Sequence, residues 1–444
     1  MRRAVENELI EWKDKEDRTP LIIRGARQVG KSYTVEAFGR AHFEQLLTVN
    51  FEEIPKALAC FESLEVEVIL KQLGYLYGVV ITPGTTLLFL DEIQLCPQAI
   101  RALRYFKEKL PALHVIAAGS LLEFVLENEK TPLSFPVGRV RFLNMKPLNF
   151  REFLHAIGQG QWEELLQQTH LNKPISQEFH THLLQFVRDY FLVGGMPAAI
   201  QSYLHTRSYV EVQRVHRALL DVYRLDLAKY GQKNEFAYLQ QLFEKAPFLV
   251  AKHFRYSKID PESTNPARQY KNALRKLHQA GLILPVYATS ANGLPLKAEV
   301  NEKKFKLLFL DIGLLQTALE IDPALFGATS FAQVNAGELA EQFVGQEWLA
   351  YGDCYAESSL FFWETEKKGN AAEVDFITDL YGKIVPIEVK ANQKGHLRSL
   401  AQFFEIKKVP FGINISLAPL VLRGNVLSVP FYLIQEIPRL FKGV

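Results

Sequence analysis

Hydrophobic and polar positions alternate in blocks along the first third of the chain. Short apolar runs lie at Leu21–Arg24, Leu46–Asn50, Thr86–Leu90 and His114–Ala118, and a polar or helix-like stretch follows each of them. Nearly continuous apolar runs of this length are typical of strands covered on both faces, and their alternation with helices is the rhythm of βαβ units. The pattern predicts a parallel sheet inside an α/β domain.

The rest of the chain changes its periodicity twice. Residues 146–230 have a mostly helical period, which is broken most clearly at Gly194-Gly195-Met196-Pro197. Residues 235–306 predict helices, then a basic amphipathic helix, Gly281 and two strands joined by an Asn-Gly turn, which is the outline of a winged helix. From about Gly337 the pattern predicts one helix, three strands, a second helix and a further strand.

Composition adds limits rather than a function. With 444 residues, 48% hydrophobic and 23% charged, the chain is predicted to form several ordinary globular domains, which excludes disordered, collagen-like and disulfide-scaffold proteins. A net charge of +2 means that any nucleic-acid surface must be a local patch. Three widely spaced cysteines, no signal peptide and no long apolar run predict a cytoplasmic protein with reduced thiols and no membrane segment.

The segment Gly25–Ser32 reads GARQVGKS and matches the phosphate-binding loop pattern G-x-x-x-x-G-K-[ST]. Its glycines let the backbone wrap around a phosphate, Lys31 would reach the β- and γ-phosphates, and Ser32 would join a Mg²⁺ shell. The alternative, a simple tight turn, does not require the strand before and the helix after it that the pattern predicts. The predicted ATP contacts are Gly25, Ala26, Arg27, Gln28, Val29, Gly30, Lys31, Ser32, Tyr33 and Ser120.

Two carboxylates follow the third apolar run. Asp91 is predicted to hold Mg²⁺, and Glu92 is predicted to act as the general base that polarises the attacking water. Without the phosphate loop, the same residues would be read as a strand that ends in an acidic turn. Ser120 follows the fourth run, where it could sense the γ-phosphate, and Arg139 is either an arginine finger or the partner of a surface acid.

A second group of candidate residues lies near the end of the chain. Asp375 lies on one predicted strand, and Glu388 and Lys390 lie on the next, two positions apart and therefore on the same face. This D…(D/E)-x-K arrangement is typical of metal-dependent nucleases, in which the two acids share Mg²⁺ and the lysine positions or activates water. The alternative is an ion-pair cluster within a domain that binds without cleaving.

A basic segment lies between these two groups. Residues 251–280 carry seven lysines and arginines against two acids, and Arg268, Lys271 and Arg275 share one helix face. Together with Lys297, Lys303 and Lys304 near the predicted wing, this face is predicted to contact DNA phosphates. A solvated surface that serves solubility or subunit contacts is the alternative.

The chain resembles bacterial and archaeal AAA-type ATPases with a C-terminal domain of unknown function related to PD-(D/E)XK nucleases. The resemblance covers nearly the whole chain and implies that Glu341 is the accessory acid of the nuclease-like site. It also implies four domains: a P-loop AAA-type core at 1–150, a helical lid at 151–232, a winged-helix-like domain at 233–325 and a restriction-endonuclease-like α/β domain at 326–444. The motifs that carry it are LIIRGARQVGKS, LLFLDEIQ, AAGSLLEF, VGRVRFLNMKPLNFREFL, FLVGGMPAAI, FLDIGLL, GELAEQFVGQEWL, EVDFITD and PIEVKAN.

These features together predict an ATPase that requires Mg²⁺ and couples its nucleotide state to DNA binding or processing. The alternative is an ATP-dependent regulatory switch or protein-remodelling ATPase whose last domain binds a partner without cleavage. The expected ligands are ATP and Mg²⁺, the expected macromolecular partner is DNA, and a homo-oligomer is left open.

Overall fold

The computed structural model describes residues 1–119, 136, 138–229, 235–261, 266–322, 336–356, 359–365, 372–391 and 397–443. Two compact units divide the chain. Unit 1 comprises Met1–Lys146, Gln279–Gly281 and Asp353–Glu357, and unit 2 comprises Pro147–His278, Leu282–Gly352 and Ser358–Val444.

Unit 1 contains a parallel sheet whose strands occur in the order β2-β3-β4-β1-β5. The register places Leu90 opposite Ala117 and Ile23 opposite Ala118, so the carboxyl ends of β1, β3 and β4 meet at one edge. The strands are β1 Leu21–Arg24, β2 Gln45–Asn50, β3 Thr86–Asp91, β4 His114–Ala118 and β5 Arg141–Asn144.

Helices cover this sheet and bury its apolar side chains. The helices of unit 1 are α1 Val5–Asp14, α2 Lys31–His42, α3 Val66–Tyr77 and α4 Pro97–Lys109. Leu88, Leu90 and Val115 from the sheet pack with Leu103 and Phe106 of α4 in one buried cluster. The predicted parallel α/β core is therefore confirmed, and the four predicted strands agree with β1–β4 to within one residue at each end.

Unit 2 begins with several helices, and further helices follow later in the chain among the residues that the structure describes. They are α5 Phe150–Ala156, α6 Trp162–Gln168, α7 Gln177–Val193, α8 Pro197–Thr206, α9 Tyr209–Asp226, α10 Phe236–Leu249, α11 Pro266–Gln279, α12 Ile312–Ala318, α13 Ala336–Ala350, α14 Arg398–Lys407 and α15 Ile437–Lys442. Gly194 and Gly195 separate α7 from α8, as the sequence predicts.

A mixed sheet forms the other layer of unit 2. Its strands occur in the order β12-β13-β11-β10-β9-β8-β6-β7. They are β6 Ile283–Thr289, β7 Val300–Phe309, β8 Phe361–Glu364, β9 Glu373–Leu380, β10 Lys383–Val389, β11 Gly412–Ser416, β12 Val421–Arg423 and β13 Val426–Pro430. The predicted helix–strand–strand–strand–helix–strand order is confirmed for α13, β8–β10, α14 and β11.

The sheet also shows what the pattern missed. The hairpin β6–β7 does not stand alone, because β6 pairs in parallel with β8 and extends the C-terminal sheet. The winged helix therefore stays a prediction for this region. The strands β12 and β13, joined by a turn at Gly424 with φ of +58°, were not predicted, because each apolar run is short.

Among the described residues, no helix combines the length and apolar character that a bilayer crossing requires.

Candidate functional site

The phosphate-binding loop lies between β1 and α2, as its motif requires. Gly25 has φ of +142°, and a Cβ there would approach the Met145 carbonyl oxygen to 2.1 Å, so a larger residue would displace the loop. Gly30 adopts φ of +93° immediately before α2. Because both positions need conformations that other residues avoid, the backbone itself shapes the loop. Arg3 donates to the Val29 carbonyl at 2.9 Å and supports the loop from behind.

The polar side chains at the loop are held in hydrogen bonds within unit 1. Lys31 Nζ donates to the carbonyl oxygens of Gly25 at 2.9 Å and Ala26 at 2.8 Å. Asp91, the buried last residue of β3, accepts hydrogen bonds from the side chain of Ser32 and from the Glu92 backbone N–H. Desolvation raises the pKa of Asp91, while the Ser32 hydrogen bond lowers it. The structure thus brings Lys31, Ser32 and Asp91 together.

Glu92 has an unusual backbone conformation for a residue that is not glycine. It adopts φ of 51°, in the left-handed region that residues other than glycine rarely occupy. Its carboxylate accepts a hydrogen bond from the Gln94 side-chain amide. Gln94 is buried, and a Cβ on Gly119, just after β4, would approach its Oε1 to 2.4 Å. A close fit between the ends of β3 and β4 therefore fixes the partner of Glu92.

The remaining candidates of unit 1 have different surroundings. Arg27 lies 4.0 Å from the Glu52 carboxylate, and Tyr33 is 58% exposed at the start of α2. Arg139 donates through Nε to Glu108 on α4 at 2.9 Å, so this surface ion pair is present, and a role as arginine finger stays a prediction. Ser120 lies outside the described residues.

These residues fit ATP and Mg²⁺. The loop offers successive backbone N–H groups and the start of α2 for phosphates, and Ser32 and Asp91 supply the oxygen ligands that Mg²⁺ prefers. Gln28 and Val29 contribute backbone to the loop, and Gln28 adopts φ of 64°.

Unit 2 contains a second concentration of charge, here called the acid–lysine cluster. Lys306 Nζ, from β7, binds Glu341 at 3.1 Å and Glu373, and lies 4.0 Å from Asp375. Lys390 donates to Glu388 at 2.6 Å, and Asp375 accepts the Val389 N–H at 2.7 Å. The cluster comprises Lys306, Glu341, Glu373, Asp375, Glu388 and Lys390.

Desolvation dominates the electrostatics of this cluster. It raises the pKa of Glu388 to about 7 and the pKa of Glu341 well above its ordinary value, and the pKa of Asp375 is also raised. Glu388 Oε2 is buried and has no hydrogen-bond partner among the described residues. A buried carboxylate oxygen without a partner is costly, and a metal ion coordinated by Asp375 and Glu388 would relieve that cost. The donor set thus fits Mg²⁺.

A neighbouring group of side chains that could bind a metal is better explained by ion pairs. Among the described residues, His253, Glu364 and Glu373 have ligand atoms that all lie within 4.8 Å of one another, whereas Glu341, Asp375 and Glu388 do not form such a set. Lys304 already pairs with Glu364 at 2.6 Å, and Lys306 pairs with Glu373. These ion pairs neutralise the set, so we interpret it as a salt-bridge network.

The basic helix α11 and the hairpin β6–β7 enclose a groove of about 1100 Å³ within unit 2. The helix side of the groove is basic and exposed, whereas the hairpin side combines aromatic rings with both charge signs, including Glu299 and Glu302. Its principal basic and aromatic residues are Arg268, Lys271, Arg275, Tyr287, Lys303 and Phe305.

Four participants in these sites were absent from the sequence prediction: Gln94, Lys306, Glu373 and His253. Gln94 lies within the quoted segment LLFLDEIQ, so its closeness to Glu92 was a usable signal. Lys306 is separated by more than thirty residues from its acidic partners, and no local spacing relates them.

Comparison with protein families divides the chain in three. Residues 17–154 match an AAA domain, residues 184–325 match a domain of unknown function (DUF8612), and residues 336–432 match another domain of unknown function (DUF4143). With the P-loop core described above, the first match shows an AAA-type ATPase domain and supports ATP binding and hydrolysis. The other two matches carry no assigned activity. No curated protein matches the chain.

Solved structures show weaker likenesses. The Walker-type ATPase PABY2304 of Pyrococcus abyssi is 16% identical with a TM-score of 0.45, and the alignment covers 72% of this chain and 95% of that one. Orc1 of Aeropyrum pernix in complex with DNA is 13% identical with a TM-score of 0.30, and the alignment covers 73% of this chain and 94% of that one. AMPPCP-bound DnaA from Aquifex aeolicus is 15% identical with a TM-score of 0.27, and the alignment covers 62% of this chain and 86% of that one. TM-scores this low carry no argument about the function of this chain.

Proposed function

We propose that this chain is a Mg²⁺-dependent ATPase that couples its nucleotide state to DNA binding or processing through a nuclease-like C-terminal domain. The observation that carries the ATPase part is the meeting of Lys31, Ser32, Asp91 and Glu92 at the carboxyl edge of the parallel sheet. The DNA part depends on the basic groove and the acid–lysine cluster of unit 2.

In the proposed mechanism, the loop backbone and Lys31 bind the phosphates, and Lys31 exchanges its bonds to the Gly25 and Ala26 carbonyls for phosphate oxygens. Ser32 and Asp91 would hold Mg²⁺, which neutralises phosphate charge when bound. Glu92 accepts the proton of the attacking water, and the Gln94 amide orients its carboxylate. Arg139, acting in cis or from a neighbouring copy, is the proposed arginine finger.

In the nuclease-like site, Asp375 and Glu388 would hold the metal, which polarises the scissile phosphate when bound. Lys390 lies beside Glu388 and is 32% exposed, so its ammonium group can orient a water or a phosphate oxygen. Glu341, the proposed accessory acid, is engaged by Lys306.

The groove suits the backbone of DNA. Arg268, Lys271 and Arg275 project from one side of α11, and lysine and arginine contacts to phosphates give affinity without sequence specificity. We expect Lys271→Ala to weaken DNA binding equally for all sequences and to reduce the slope of log affinity against log salt by about one. Lys245→Ala, an exposed change on α10, is the matched control in a fluorescence-anisotropy titration.

The chain offers a covalent route for coupling. Gln279–Gly281 belongs to unit 1 and includes the last residue of α11. Gly281 lies against the phosphate loop, because a Cβ there would be 3.4 Å from the Ala26 nitrogen. A change of the loop on nucleotide binding would therefore act directly on the end of the basic helix.

The test is steady-state ATP hydrolysis with Mg²⁺, with and without single- and double-stranded DNA. Wild type is compared with Lys31→Ala, and parallel gels follow the DNA. We expect turnover that DNA raises and Lys31→Ala abolishes, and cutting that Asp375→Asn abolishes. Turnover that DNA does not change, together with intact DNA, would contradict the DNA-linked function.

One observation favours the alternative, a switch or remodelling ATPase that binds without cleavage. Lys306 engages Glu341 and Glu373 in ion pairs, so part of the acidic set is already neutralised. If DNA binds and stimulates turnover but stays intact with Mg²⁺ and Mn²⁺, the switch is the better description.

A further inference from the structure

Lys306 occupies an unusual position for a lysine. It lies on β7, its side chain is only 4% exposed, and its ammonium group lies against carboxylates from two other elements, α13 and β9. The ring of Phe362 on β8 is 5.3 Å from Nζ and closes another side. Lysines are almost never fully buried unless they are paired, so this ammonium group is a fixed part of the site.

The partners of Lys306 are the side chains that surround the proposed metal site. Nζ contacts Glu341 at 3.1 Å and Glu373, and it is 4.0 Å from Asp375 Oδ1. Two-metal nuclease sites hold their ions about 3.5–4 Å apart and share a carboxylate between them. Lys306 therefore has the charge sign and the carboxylate neighbours that a second ion beside Asp375 would have.

The charge balance of the cluster also leaves room for only one divalent ion beside Lys306. Four carboxylates, Glu341, Glu373, Asp375 and Glu388, face the two ammonium groups of Lys306 and Lys390. When all six groups are ionised, two negative charges remain, which matches one divalent ion. Among the described residues, the buried Glu388 Oε2 has no hydrogen-bond partner, which leaves it available to such an ion.

We propose that Lys306 is a built-in cation that replaces the second metal ion, so that the nuclease-like site binds one divalent ion, held by Asp375 and Glu388. This inference rests on the proposed metal site at Asp375 and Glu388. It assigns Lys306 the role of setting the metal stoichiometry, and it explains why Glu341 is engaged by a lysine.

The test counts Mn²⁺ ions bound to the full-length chain without nucleotide, by isothermal titration calorimetry and by electron paramagnetic resonance of free Mn²⁺. Every chain in the series carries Asp91→Asn, so that the ATPase site adds no ion, and wild type here means the unchanged cluster. We expect one ion for wild type and two for Lys306→Met, which removes the charge and preserves much of the side-chain volume. Asp375→Asn tests the proposed site itself and should lose the single ion. His253→Ala should leave the count at one, because we place no ion at the salt-bridge network.

Lys306→Met leaves Glu341 without its counter-charge and could fail to fold, so thermal unfolding accompanies each titration. The double variant Lys306→Met/Glu341→Gln removes both charges of one ion pair and should bind one ion. The wild-type count is decisive even without the variants, because two ions per wild-type chain would overturn the inference.

The remaining outcomes separate the two proposals. Two ions in wild type with loss of both in Asp375→Asn would overturn the role of Lys306 and preserve the metal site. One ion in both wild type and folded Lys306→Met would do the same. No ion in wild type, or one that survives Asp375→Asn, would overturn the proposed metal site and the inference with it.

Discussion

The ATPase site of unit 1 and the acid–lysine cluster of unit 2 both fit a divalent ion, but they are built in opposite ways. The ATPase site consists largely of backbone groups in one loop of eight consecutive residues, supplemented by Asp91 and Glu92. The cluster consists of side chains from β7, α13, β9 and the end of β10, and it depends on ion pairs between them.

The difference shows two ways of stabilising charge inside a protein. Backbone N–H groups at a loop and a helix start are fixed dipoles that carry no net charge and need no counter-ion. Buried carboxylates need cations, and here the chain supplies Lys306 and Lys390. Because the backbone provides most of the phosphate binding, we expect ATP turnover to respond to the few side chains that take part in the reaction. We expect the stability and metal binding of the cluster to respond to charge balance and pH.

The largest expected effect concerns Glu92, the proposed proton acceptor of the ATPase site. Glu92→Gln should lower ATP turnover by about 10²- to 10⁴-fold and leave ATP binding intact, because only the base is lost. Steady-state hydrolysis and equilibrium binding of a fluorescent ATP analogue measure the two quantities. Glu62→Gln, an exposed substitution, is the control. Equal losses in binding and turnover would show that Glu92 supports the loop instead.

The second prediction tests buried carboxylates in unit 2 at a position away from the proposed metal ligands. Glu347, on the same helix as Glu341, is 1% exposed, and desolvation raises its pKa from 4.5 to about 7. The folded state binds a proton that the unfolded state releases, so stability falls as pH rises from about 4.5 to about 7 and then levels off. The loss should be roughly 3 kcal/mol.

Urea denaturation at pH 5 and pH 8 measures this effect. The variant Glu347→Gln should lack this part of the pH dependence, because its amide does not titrate, while the exposed change Glu405→Gln should behave as wild type. A Glu347→Gln variant with the wild-type pH dependence would show that Glu347 ionises freely in the folded state.

The third prediction concerns a side chain that acts through Glu92. Gln94→Met keeps the size of the residue and removes the amide that donates to Glu92. We expect turnover to fall by about 10- to 100-fold, because a hydrogen bond to a charged group contributes on the order of 1.5–3 kcal/mol. The KM for ATP should stay unchanged. A variant with raised KM and normal turnover would contradict a positioning role.

The smallest expected effect compares two glycines of unit 1. Gly281 and Gly78 have similar φ values of +72° and +66°, but only Gly281 would bring a Cβ near another residue, at 3.4 Å from the Ala26 nitrogen. Each alanine substitution should cost about 1 kcal/mol of stability through backbone strain. Gly281→Ala alone should raise the KM for ATP, by about threefold, or about 0.7 kcal/mol. Equal KM values would separate Gly281 from the nucleotide site.

Much of the fold was predictable because the hydrophobic periodicity of each segment indicates its secondary structure. The runs at Leu21–Arg24 and His114–Ala118 became strands with the predicted ends. The strands β12 and β13 were missed, because β12 has only three residues and Ser428 interrupts the apolar run of β13. The pairing of β6 with β8 could not be predicted either, because the local sequence does not indicate which distant strand pairs with β6.

The candidate sites divide along the same line. The residues Gly25–Ser32 with Asp91 and Glu92 were predicted as a site from the sequence, because the chemistry of phosphate binding imposes a contiguous motif and parallel strands end at one edge. Asp375, Glu388 and Lys390 were predicted as a group for a similar reason, since the alternation of side chains along a strand relates neighbouring positions. Only the tertiary structure placed Lys306 among the acids of α13 and β9, because burial of an ammonium group is decided by sheet order.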